Sequence, residues 1–319
     1  MAVLPEIPPM LATPGSLPAP AVEDRWAVET KHDGQRATVY LPGDGSVLLR
    51  SRAGLDITPA YPELRGLGEA LGGVPAVLDG EIVAYDGNGR PDFERLQSRM
   101  GLAGSPARAA QVATAVPAHL VLFDATFLAT ENLTGRPWTE RREALVSLGL
   151  DGPSWSVPGA LVGHGAQALE HTRAAGLEGI VCKATGSPYE PGVRSRSWIK
   201  IRNVRTVDAI VGGWIPGQGR LAGLPGALLL GQYRDGELRY IGNVGTGWSD
   251  RQRSDLAALL TVAEVSRSPF SPAPRVARAR WALPRLVGEV GYTTWTRAGL
   301  LRHPSWHRLR PDLAPDDIG

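Results

Sequence analysis

Lysine is rare in this sequence, and its few lysines are the residues whose type points most directly to chemistry. Of the 34 basic residues in the 319-residue chain, only Lys31, Lys183 and Lys200 are lysine and the other 31 are arginine. Arginine stays protonated, whereas a lysine amine can lose its proton and act as a nucleophile, or can place a compact charge on one phosphate oxygen. We interpret the three lysines as positions that arginine cannot fill, which favours nucleotide chemistry.

Lys31 belongs to the segment KHDGQR, at the end of a predicted strand and beside a predicted turn at Asp33 and Gly34. Glycine lets the backbone approach a ligand closely, and neighbouring cations favour the unprotonated amine that can attack phosphorus. An ordinary β-turn with flanking charges would also explain Asp33 and Gly34. It would not explain why a lysine is retained, so the segment indicates a nucleophilic amine.

Charged residues share one face on each of two other predicted strands. In PAVLDGEIVAYD the two-residue period places Asp79 and Glu81 on the same face, where two carboxylates are costly to bury without partners. In SRSWIKIR the same period aligns Trp198, Lys200 and Arg202. Both strands are therefore candidates to carry site residues.

The C-terminal part of the chain is locally basic. Residues 271–310 hold eight arginines against one acid, Glu289, interleaved with Trp281, Trp295 and Trp306. Basic residues with interspersed aromatic residues suit a nucleic-acid backbone. An arginine-rich surface over tryptophans in a protein core is an equally good interpretation of this feature alone.

The composition excludes several classes of protein. The net charge of +2 predicts no global attraction for polyanions, and the single cysteine, Cys182, excludes an intramolecular disulfide framework. No apolar run approaches the roughly 18 residues of a membrane span, and prolines interrupt the N-terminal segment where a signal helix would lie. We expect a soluble cytoplasmic protein, associated with the bacterial nucleoid and not with a membrane.

The pattern of elements predicts two domains. Strands are expected within 26–41, interrupted by the turn, and at 46–52, 75–86, 118–128, 177–184 and 195–202. Helices are expected over 58–70, 93–100, 139–149, 165–176 and 254–265. After Asn203 the chain becomes glycine-rich, with short strands at the spacing of a small β-barrel. We place the domain boundary there.

Six motifs in the same order resemble those of the covalent nucleotidyltransferase superfamily, and within it the small bacterial ATP-dependent DNA ligases, such as bacterial ligase C and the ligase domain of ligase D. The matching residues are Lys31, Asp33, Gly34 and Arg36 for K-x-D-G-x-R; Arg52 for the next strand; Asp79, Gly80 and Glu81 for D-G-E; Phe123 and Asp124; Glu178 to Lys183 for E-G-[IV]-V-x-K; and Trp198, Lys200 and Arg202 for W-x-K-x-K. All three lysines fall on motif positions, which a chance match would not produce.

The resemblance implies an α+β fold, with an adenylation (nucleotidyltransferase) domain of antiparallel sheets and helices over 1–203. An OB-fold β-barrel with a basic C-terminal motif would follow over 204–319. Lys31 would be the catalytic nucleophile that takes AMP from ATP. Lys200 and Arg202 would bind the α-phosphate and, with Lys183, keep Lys31 partly unprotonated. Phe123 would stack on adenine.

The resemblance also implies roles for residues around the nucleotide and the DNA. Glu29 would lie near the exocyclic amine of adenine, and Arg36 would reach the ribose. Glu81 and Glu178 would coordinate Mg²⁺ or Mn²⁺. Arg52 would bind the 5′-phosphate of a nick in double-stranded DNA.

Two positions depart from the family pattern. Arg202 replaces the second lysine of W-x-K-x-K. The C-terminal motif R-x-P-x-F-x-x-x-R-x-D-K is met by Arg302, Arg310 and Asp312, but its final lysine is Leu313 here. That motif orients the pyrophosphate leaving group, so the change predicts either a slow first step or substitution by nearby arginines.

The expected function is ATP-dependent sealing of nicks by a monomer, in DNA repair and with repair proteins as partners. An RNA ligase or an mRNA-capping guanylyltransferase shares the lysine chemistry and remains the alternative enzyme. A catalytically weak nucleic-acid-binding accessory protein is the alternative from another class. Retention of all three lysines argues against it, and Leu313 argues for it.

Overall fold

The computed structural model describes residues 4–318, which divide into two compact units after Asn203. The strands of the first unit are β1 (Leu11–Pro14), β2 (Trp26–Thr30), β3 (Gln35–Leu41), β4 (Leu48–Ser51), β5 (Ala76–Ala84), β6 (Ala118–Leu128), β7 (Glu131–Asn132), β8 (Trp155–Ser156), β9 (Leu161–Val162), β10 (Gly179–Ala184) and β11 (Arg194–Arg202). Its helices are α1 (Leu67–Ala70), α2 (Phe93–Gln97), α3 (Pro106–Ala115), α4 (Trp138–Ser147) and α5 (Gly165–Ala174), with 3₁₀ turns at Pro20–Arg25, Thr58–Ala60, Pro62–Leu64 and Leu102–Gly104.

The first unit consists of two sheets packed face to face, with helices outside. One sheet has the order β1-β11-β10-β2-β9, and the other has the order β4-β3-β5-β6-β7 with β8 paired to β6. Tyr40 and Val77 of the second sheet pack against Trp198 of the first. The α5 helix covers the outer face of the first sheet, where Val28 and Cys182 are buried. This arrangement confirms the predicted α+β class.

Alternation along the strands decides which residues face the space between the sheets. On β10, Ile180 and Cys182 pack toward α5, so Val181 and Lys183 point the other way. On β5, Leu78 and Ile82 belong to the outer core, which leaves Asp79 and Glu81 on the inner face. The predicted common face of the two carboxylates is confirmed.

The strand predicted at 118–128 is β6, and Asp92 caps α2 by accepting a hydrogen bond from the Arg95 backbone N–H. The helix predicted over 58–70 is wrong. That segment forms two 3₁₀ turns and the four-residue α1, because Pro62 cannot continue a helix begun at Thr58 and the segment also contains two glycines. The α3 helix was not predicted.

The second unit is built on β12 (Arg205–Pro216), β13 (Pro225–Arg234), β14 (Glu237–Val244), β15 (Glu264–Val265), β16 (Arg280–Tyr292), β17 (Thr294–Trp295), β18 (Leu301–Arg302) and β19 (Ser305–Leu309), with α6 (Asp250–Val262) and 3₁₀ turns at Gly219–Leu221 and Pro315–Asp317. Its main sheet has the order β14-β13-β12-β16-β15, with β19 on β16. The helix expected over 254–265 begins earlier, at Asp250, and its cap is Ser249, within a capping box.

Glycines let the second sheet curl as an OB-fold requires. The register of β12 shifts around Gly212, where an added Cβ would lie 2.5 Å from the Phe270 ring. At Gly288 an added Cβ would lie 2.0 Å from the Trp306 ring, so this buried tryptophan packs directly on the backbone of β16. In neither unit does a described helix have the length and apolar character needed to cross a membrane.

A buried ion pair joins α4 to β6 in the first unit. The Arg141 guanidinium donates to both carboxylate oxygens of Asp124, at 2.8 and 3.1 Å, and the two side chains are 0% and 1% exposed. Arg141 also donates to the backbone carbonyls of Arg136 and Ser187. The guanidinium therefore holds together segments far apart in sequence.

We predict that Arg141→Met destabilises the protein by about 3–5 kcal/mol, because Asp124 is left buried and charged without a partner. Arg136→Met is the matched control, since Arg136 is 53% exposed in its pair with Glu131 and should change stability by less than about 1 kcal/mol. Urea denaturation of the whole chain, followed by circular dichroism, measures both. If both variants lost the same free energy of unfolding, the buried pair of Arg141 and Asp124 would contribute no more to stability than the exposed pair.

Candidate active site

A pocket of about 210 Å³ opens between the two sheets of the first unit and collects most of the residues singled out in the sequence. Its lining consists of Leu11, Ala12, Glu29, Thr30, Lys31, His32, Arg36, Arg52, Glu81, Phe123, Val181, Lys183, Arg194, Trp198 and Lys200. All three lysines are among them. One pocket therefore unites side chains contributed by seven strands and by the loops that follow β2 and β4.

Strand register brings the charged residues of the first sheet side by side. Val181 of β10 lies opposite Glu29 on one neighbouring strand and opposite Lys200 on the other. Lys183 follows Val181 on the same face, two residues on. The antiparallel pairing of β2, β10 and β11 thus sets a carboxylate and two amines at adjacent positions.

Glu178, just before β10, binds two of the cations. The Lys31 ammonium donates to Glu178 Oε2 at 2.5 Å, and Arg202 Nε donates to Oε1 at 3.0 Å. The Glu178 side chain is only 8% exposed, whereas that of Lys31 is 18% exposed. Glu178 therefore holds the Lys31 amine at the pocket while neutralising it.

Lys183 is almost fully buried and is paired with Glu29. Its ammonium lies 2.8 Å from Glu29 Oε2, and 4.6 and 4.2 Å from the ring centres of Phe123 and Trp198. The other carboxylate oxygen of Glu29, Oε1, is buried and accepts no hydrogen bond within residues 4–318. This orphaned acceptor beside the pocket fits a donor group on a ligand.

Three cations that line the pocket have no carboxylate partner in the described part of the chain: Arg52, Arg194 and Lys200. Of the three, only Arg194 makes a hydrogen bond there, to the backbone carbonyl of Ala12. Burial, together with the neighbouring Arg202 and Lys31, lowers the pKa of the Lys200 amine. Unpaired cations around one pocket form an anion-binding site.

Arg36 lies on β3 of the second sheet, and hydrogen bonds fix the position of its side chain. Its guanidinium makes two 2.6 Å bonds to the carboxylate of Asp79, which is fully buried and also accepts a hydrogen bond from the Tyr189 hydroxyl at 2.6 Å. The guanidinium lies 4.7 Å from the centre of the Phe123 ring. Asp79 was recognised in the sequence as part of a motif but not as the partner of Arg36, and no sequence signal indicated Tyr189.

Glu81 is the one pocket carboxylate that accepts no hydrogen bond from any residue the structure describes. Burial raises its pKa to about 7, against the attraction of Arg36 and Lys31. Such a group binds a cation readily. No cluster of three or more metal-ligating side chains occurs within residues 4–318. Mg²⁺ is commonly held by one or two carboxylates, water and substrate phosphates, and Glu81 and Glu178 are the carboxylates here that could supply such ligands.

The loop from Lys31 to Gly34 connects strands that belong to different sheets, β2 and β3. Gly34 is required there, because an added Cβ would lie 2.1 Å from the carbonyl oxygen of Ile82. Asp33 lies in this loop, as predicted. His32, which the sequence analysis did not place in the site, also lines the pocket, and neither of its ring nitrogens has a hydrogen-bond partner among the described residues.

The remaining motif residues lie in the second unit. Arg310 donates to both oxygens of Asp312 and to Asp208, and its hydrogen bonds lower the pKa of Asp312 to about 2. Leu313 packs on the core cluster formed around Phe270. Arg302 belongs to β18. Position 313, where the family pattern has a lysine, therefore contributes to the core of the barrel.

Two family profiles match the chain. The profile described as "ATP dependent DNA ligase domain" covers residues 9–202, and that described as "ATP dependent DNA ligase C terminal region" covers residues 222–313. The chain belongs to the ATP-dependent DNA ligase family. One match falls in each of the two units. The pocket around Lys31 lies within residues 9–202, which match the ligase domain profile.

Individual relatives agree with this membership. The multifunctional non-homologous end joining protein LigD of Mycolicibacterium smegmatis is 40% identical over 314 residues, which are 97% of this chain and 39% of that protein. The crystal structure of the ligase domain of Mycobacterium tuberculosis LigD is similar, with 36% identity, 98% of both chains covered and a TM-score of 0.57. A mycobacterial DNA ligase D complexed with ATP and MES is similar to the same extent, with 37% identity, 98% coverage of both chains and a TM-score of 0.57. This ligase chain spans about two fifths of the length of its LigD relative.

We predict that His32 makes this ligase chain sensitive to acid. Burial and the adjacent Lys31 lower the pKa of His32 from 6.5 to about 4, although Glu178 opposes this change. Between these two pH values the unfolded chain therefore binds a proton at His32 and the folded chain does not. The free energy of unfolding falls as the pH drops from 6.5 to about 4. His32→Phe should reduce this loss, measured as the difference in Tm between about pH 7.5 and about pH 5 without nucleotide.

His171→Phe is the control, because His171 is exposed on α5 and should leave the acid-induced decrease in Tm as in the wild type. If His32→Phe loses as much Tm on acidification as the wild type does, His32 is not the buried neutral imidazole described above.

Proposed function

We propose that this chain seals nicks that carry a 3′-hydroxyl and a 5′-phosphate in double-stranded DNA, using ATP and a covalent lysyl-AMP intermediate at Lys31. The observation that carries the proposal is the pocket itself. A lysine amine held by Glu178 faces a space bordered by Arg52, Arg194 and Lys200, none of which is neutralised by a carboxylate in the described part of the chain.

Adenine is supported as the base by the unpaired oxygen of Glu29. The buried Oε1 can accept a hydrogen bond from the exocyclic amine of adenine, whereas guanine offers a carbonyl oxygen at the corresponding position. Phe123 provides an aromatic ring beside it, and Arg36 lies over that ring. ATP is therefore favoured over GTP, in line with the ATP complex of the similar mycobacterial ligase.

In the first step the unprotonated Lys31 amine attacks the α-phosphorus of ATP. A P–N bond forms, the bond between the α-phosphorus and the bridging oxygen breaks, and pyrophosphate leaves. Lys200 and Arg202 lie on β11, where Arg202 shares Glu178 with Lys31 and Lys31 acts electrostatically on Lys200, and both would neutralise charge on the α-phosphate. The proton of Lys31 has an acceptor at hand, because Glu178 already binds the ammonium.

Mg²⁺ or Mn²⁺ fits this site, since Glu81 has an unpaired carboxylate and Glu178 already binds cations. A divalent ion held there would supply charge neutralisation on the phosphates. The protein residues would orient the nucleotide around it: Arg36 and Phe123 at the sugar and base, and Lys200 at the phosphate.

In the second step an oxygen of the 5′-phosphate attacks the phosphorus of the lysyl-AMP. The P–N bond breaks and AMP moves to the DNA. In the third step the 3′-hydroxyl attacks the 5′-phosphate, loses its proton, and AMP leaves. Arg52 has no partner within residues 4–318 and borders the pocket, so it would bind the 5′-phosphate. In each step one bond to phosphorus forms as another breaks, so positioning and charge neutralisation carry most of the catalysis.

The cellular role follows from the relatives. The LigD proteins are named as non-homologous end joining proteins, and we propose a DNA repair role of the same kind for this chain, acting as a monomer on nicked DNA with repair proteins as partners. The two structural units would correspond to an adenylation domain over 1–203 and an OB-fold domain over 204–319.

We expect the purified protein to gain the mass of one AMP when incubated with ATP and Mg²⁺, and Lys31→Ala to abolish the gain because it removes the nucleophile. Intact-mass spectrometry measures the adduct. Arg65→Ala serves as the control, because Arg65 lies outside the pocket and the variant keeps the amine. Addition of nicked DNA to the adduct should release AMP and give the sealed strand, resolved on a denaturing gel.

Other results would redirect the assignment. An adduct formed with GTP and not with ATP would favour a capping-type guanylyltransferase. An adduct that seals nicked RNA and not nicked DNA would favour an RNA ligase. No adduct, from a protein shown to be unmodified at the start, would favour an accessory protein that only binds nucleic acid, and the loss of a motif cation at Leu313 would then be its explanation.

We predict that Arg52→Ala still forms the lysyl-AMP adduct but seals nicks about 10- to 100-fold more slowly, because one charge-assisted contact to the 5′-phosphate is lost. Removal of a phosphate contact should also reduce the slope of log Kd against log salt concentration by about one. Arg65→Ala is the control, since Arg65 lies outside the pocket. An Arg52→Ala variant with wild-type sealing and salt dependence would overturn this role.

A further inference from the structure

A tight hairpin after β4 carries both Arg52 and an apolar side chain that the proposed function does not use. The chain reverses over residues 51–56, with Gly54 at φ +80° and a bridge between Arg50 and Asp56. Leu55 follows the tip and is 68% exposed. An isolated exposed leucine is common on protein surfaces, so its backbone and its neighbours decide whether it has a role.

The backbone at Leu55 is fixed from both sides. Its carbonyl accepts a hydrogen bond from the Ser51 N–H at 2.9 Å, and its own N–H donates to Ser51 Oγ at 3.2 Å. The Gly54 carbonyl accepts a bond from the Arg50 guanidinium at 2.8 Å, and the Gly54 N–H donates to the Ser51 carbonyl at 2.8 Å. The hairpin therefore presents Leu55 in a fixed position without burying its side chain.

The charges around Leu55 indicate what covers it. Arg50 and Arg52 lie on the same hairpin, and Arg52 borders the pocket without a carboxylate partner in the described residues. An apolar side chain on the same hairpin as a guanidinium group without a carboxylate partner fits a ligand whose surface alternates phosphate with apolar sugar carbons. A nucleic-acid backbone has this pattern, and its phosphates and sugars are the parts of DNA that proteins contact most and that fix a protein's register on the duplex.

We propose that Leu55 packs against the deoxyribose next to the 5′-phosphate that Arg52 binds, and so positions the 5′ end of the nick. The inference rests on the proposed nick-sealing function and adds a positioning residue to it. The rigid hairpin then contacts the DNA strand at two points. Arg52 binds the 5′-phosphate through its charge, and Leu55 packs against the neighbouring sugar. Because Leu55 does not line the nucleotide pocket, it acts only on the steps that involve DNA.

The test compares Leu55→Ala with the wild type on two substrates. Binding is measured by fluorescence anisotropy on a nicked duplex whose 3′ end is a dideoxynucleotide and cannot be sealed, and sealing is measured on the ordinary nick. We expect Leu55→Ala to raise the Kd about five- to tenfold, from the loss of a partly buried leucine contact, and to slow sealing without slowing the formation of lysyl-AMP. Leu55→Met keeps the apolar volume and should restore most of the affinity.

Salt dependence separates an apolar contact from an electrostatic one. The slope of log Kd against log salt concentration should be the same in Leu55→Ala and wild type, in contrast to Arg52→Ala. Leu161→Ala is the matched control, because Leu161 is 57% exposed on β9, at the edge of the other sheet, and should bind DNA as the wild type does.

Four results would overturn the inference. Wild-type affinity and sealing by Leu55→Ala would exclude the contact, and so would an equal loss in Leu161→Ala. A loss of affinity that Leu55→Met does not restore would show that the hairpin tolerates no substitution, which is a structural role. A wild-type protein that forms lysyl-AMP and seals no DNA nick would overturn the proposed function together with this inference, so the two failures are distinguishable.

Discussion

The accumulation of positive charge on one sheet is the constraint on which the site depends. The register of β2, β10 and β11 brings the amines of Lys31, Lys183 and Lys200 to the same pocket, where they repel one another unless carboxylates lie between them. Glu178 and Glu29 supply two such carboxylates, one to Lys31 and one to Lys183. Lys200 has no carboxylate partner among the described residues, which leaves a net positive site for phosphate.

The second sheet completes the pocket with groups whose positions are fixed by burial. Asp79 is fully buried, and it holds Arg36 by two hydrogen bonds while also accepting one from Tyr189. Glu81, two residues further on the same face, has no such partner. The same strand therefore carries one carboxylate that holds a neighbouring side chain, Asp79, and one that is available to a ligand, Glu81. The difference between them comes from their partners: Asp79 binds Arg36 on the neighbouring strand and Tyr189 from the loop between β10 and β11, and Glu81 makes no such bond among the described residues.

Local structure was predictable wherever neighbouring residues decide it. The strand at 118–128 and the cap of α2 at Asp92 follow from apolar pattern and capping chemistry within a few residues. The predicted helix over 58–70 is wrong, because Pro62 lacks the backbone N–H that a helix interior requires, and the chain forms 3₁₀ turns there. The α3 helix was not predicted. It is short and alanine-rich and buries only one residue, so its sequence lacks the apolar periodicity that distinguishes a helix from a loop.

By itself, the sequence determined which residues are candidates for chemistry: three lysines in an arginine-rich chain, placed on ordered motifs, predict the nucleophile and the cations around it. Only the tertiary structure decided which charges pair. Lys31 binds Glu178, which is 147 residues away, and Arg36 binds Asp79, which is 43 residues away. The reason is physical. Residue type and spacing are local, whereas pairing depends on sheet register and burial, which arise only when distant strands pack together.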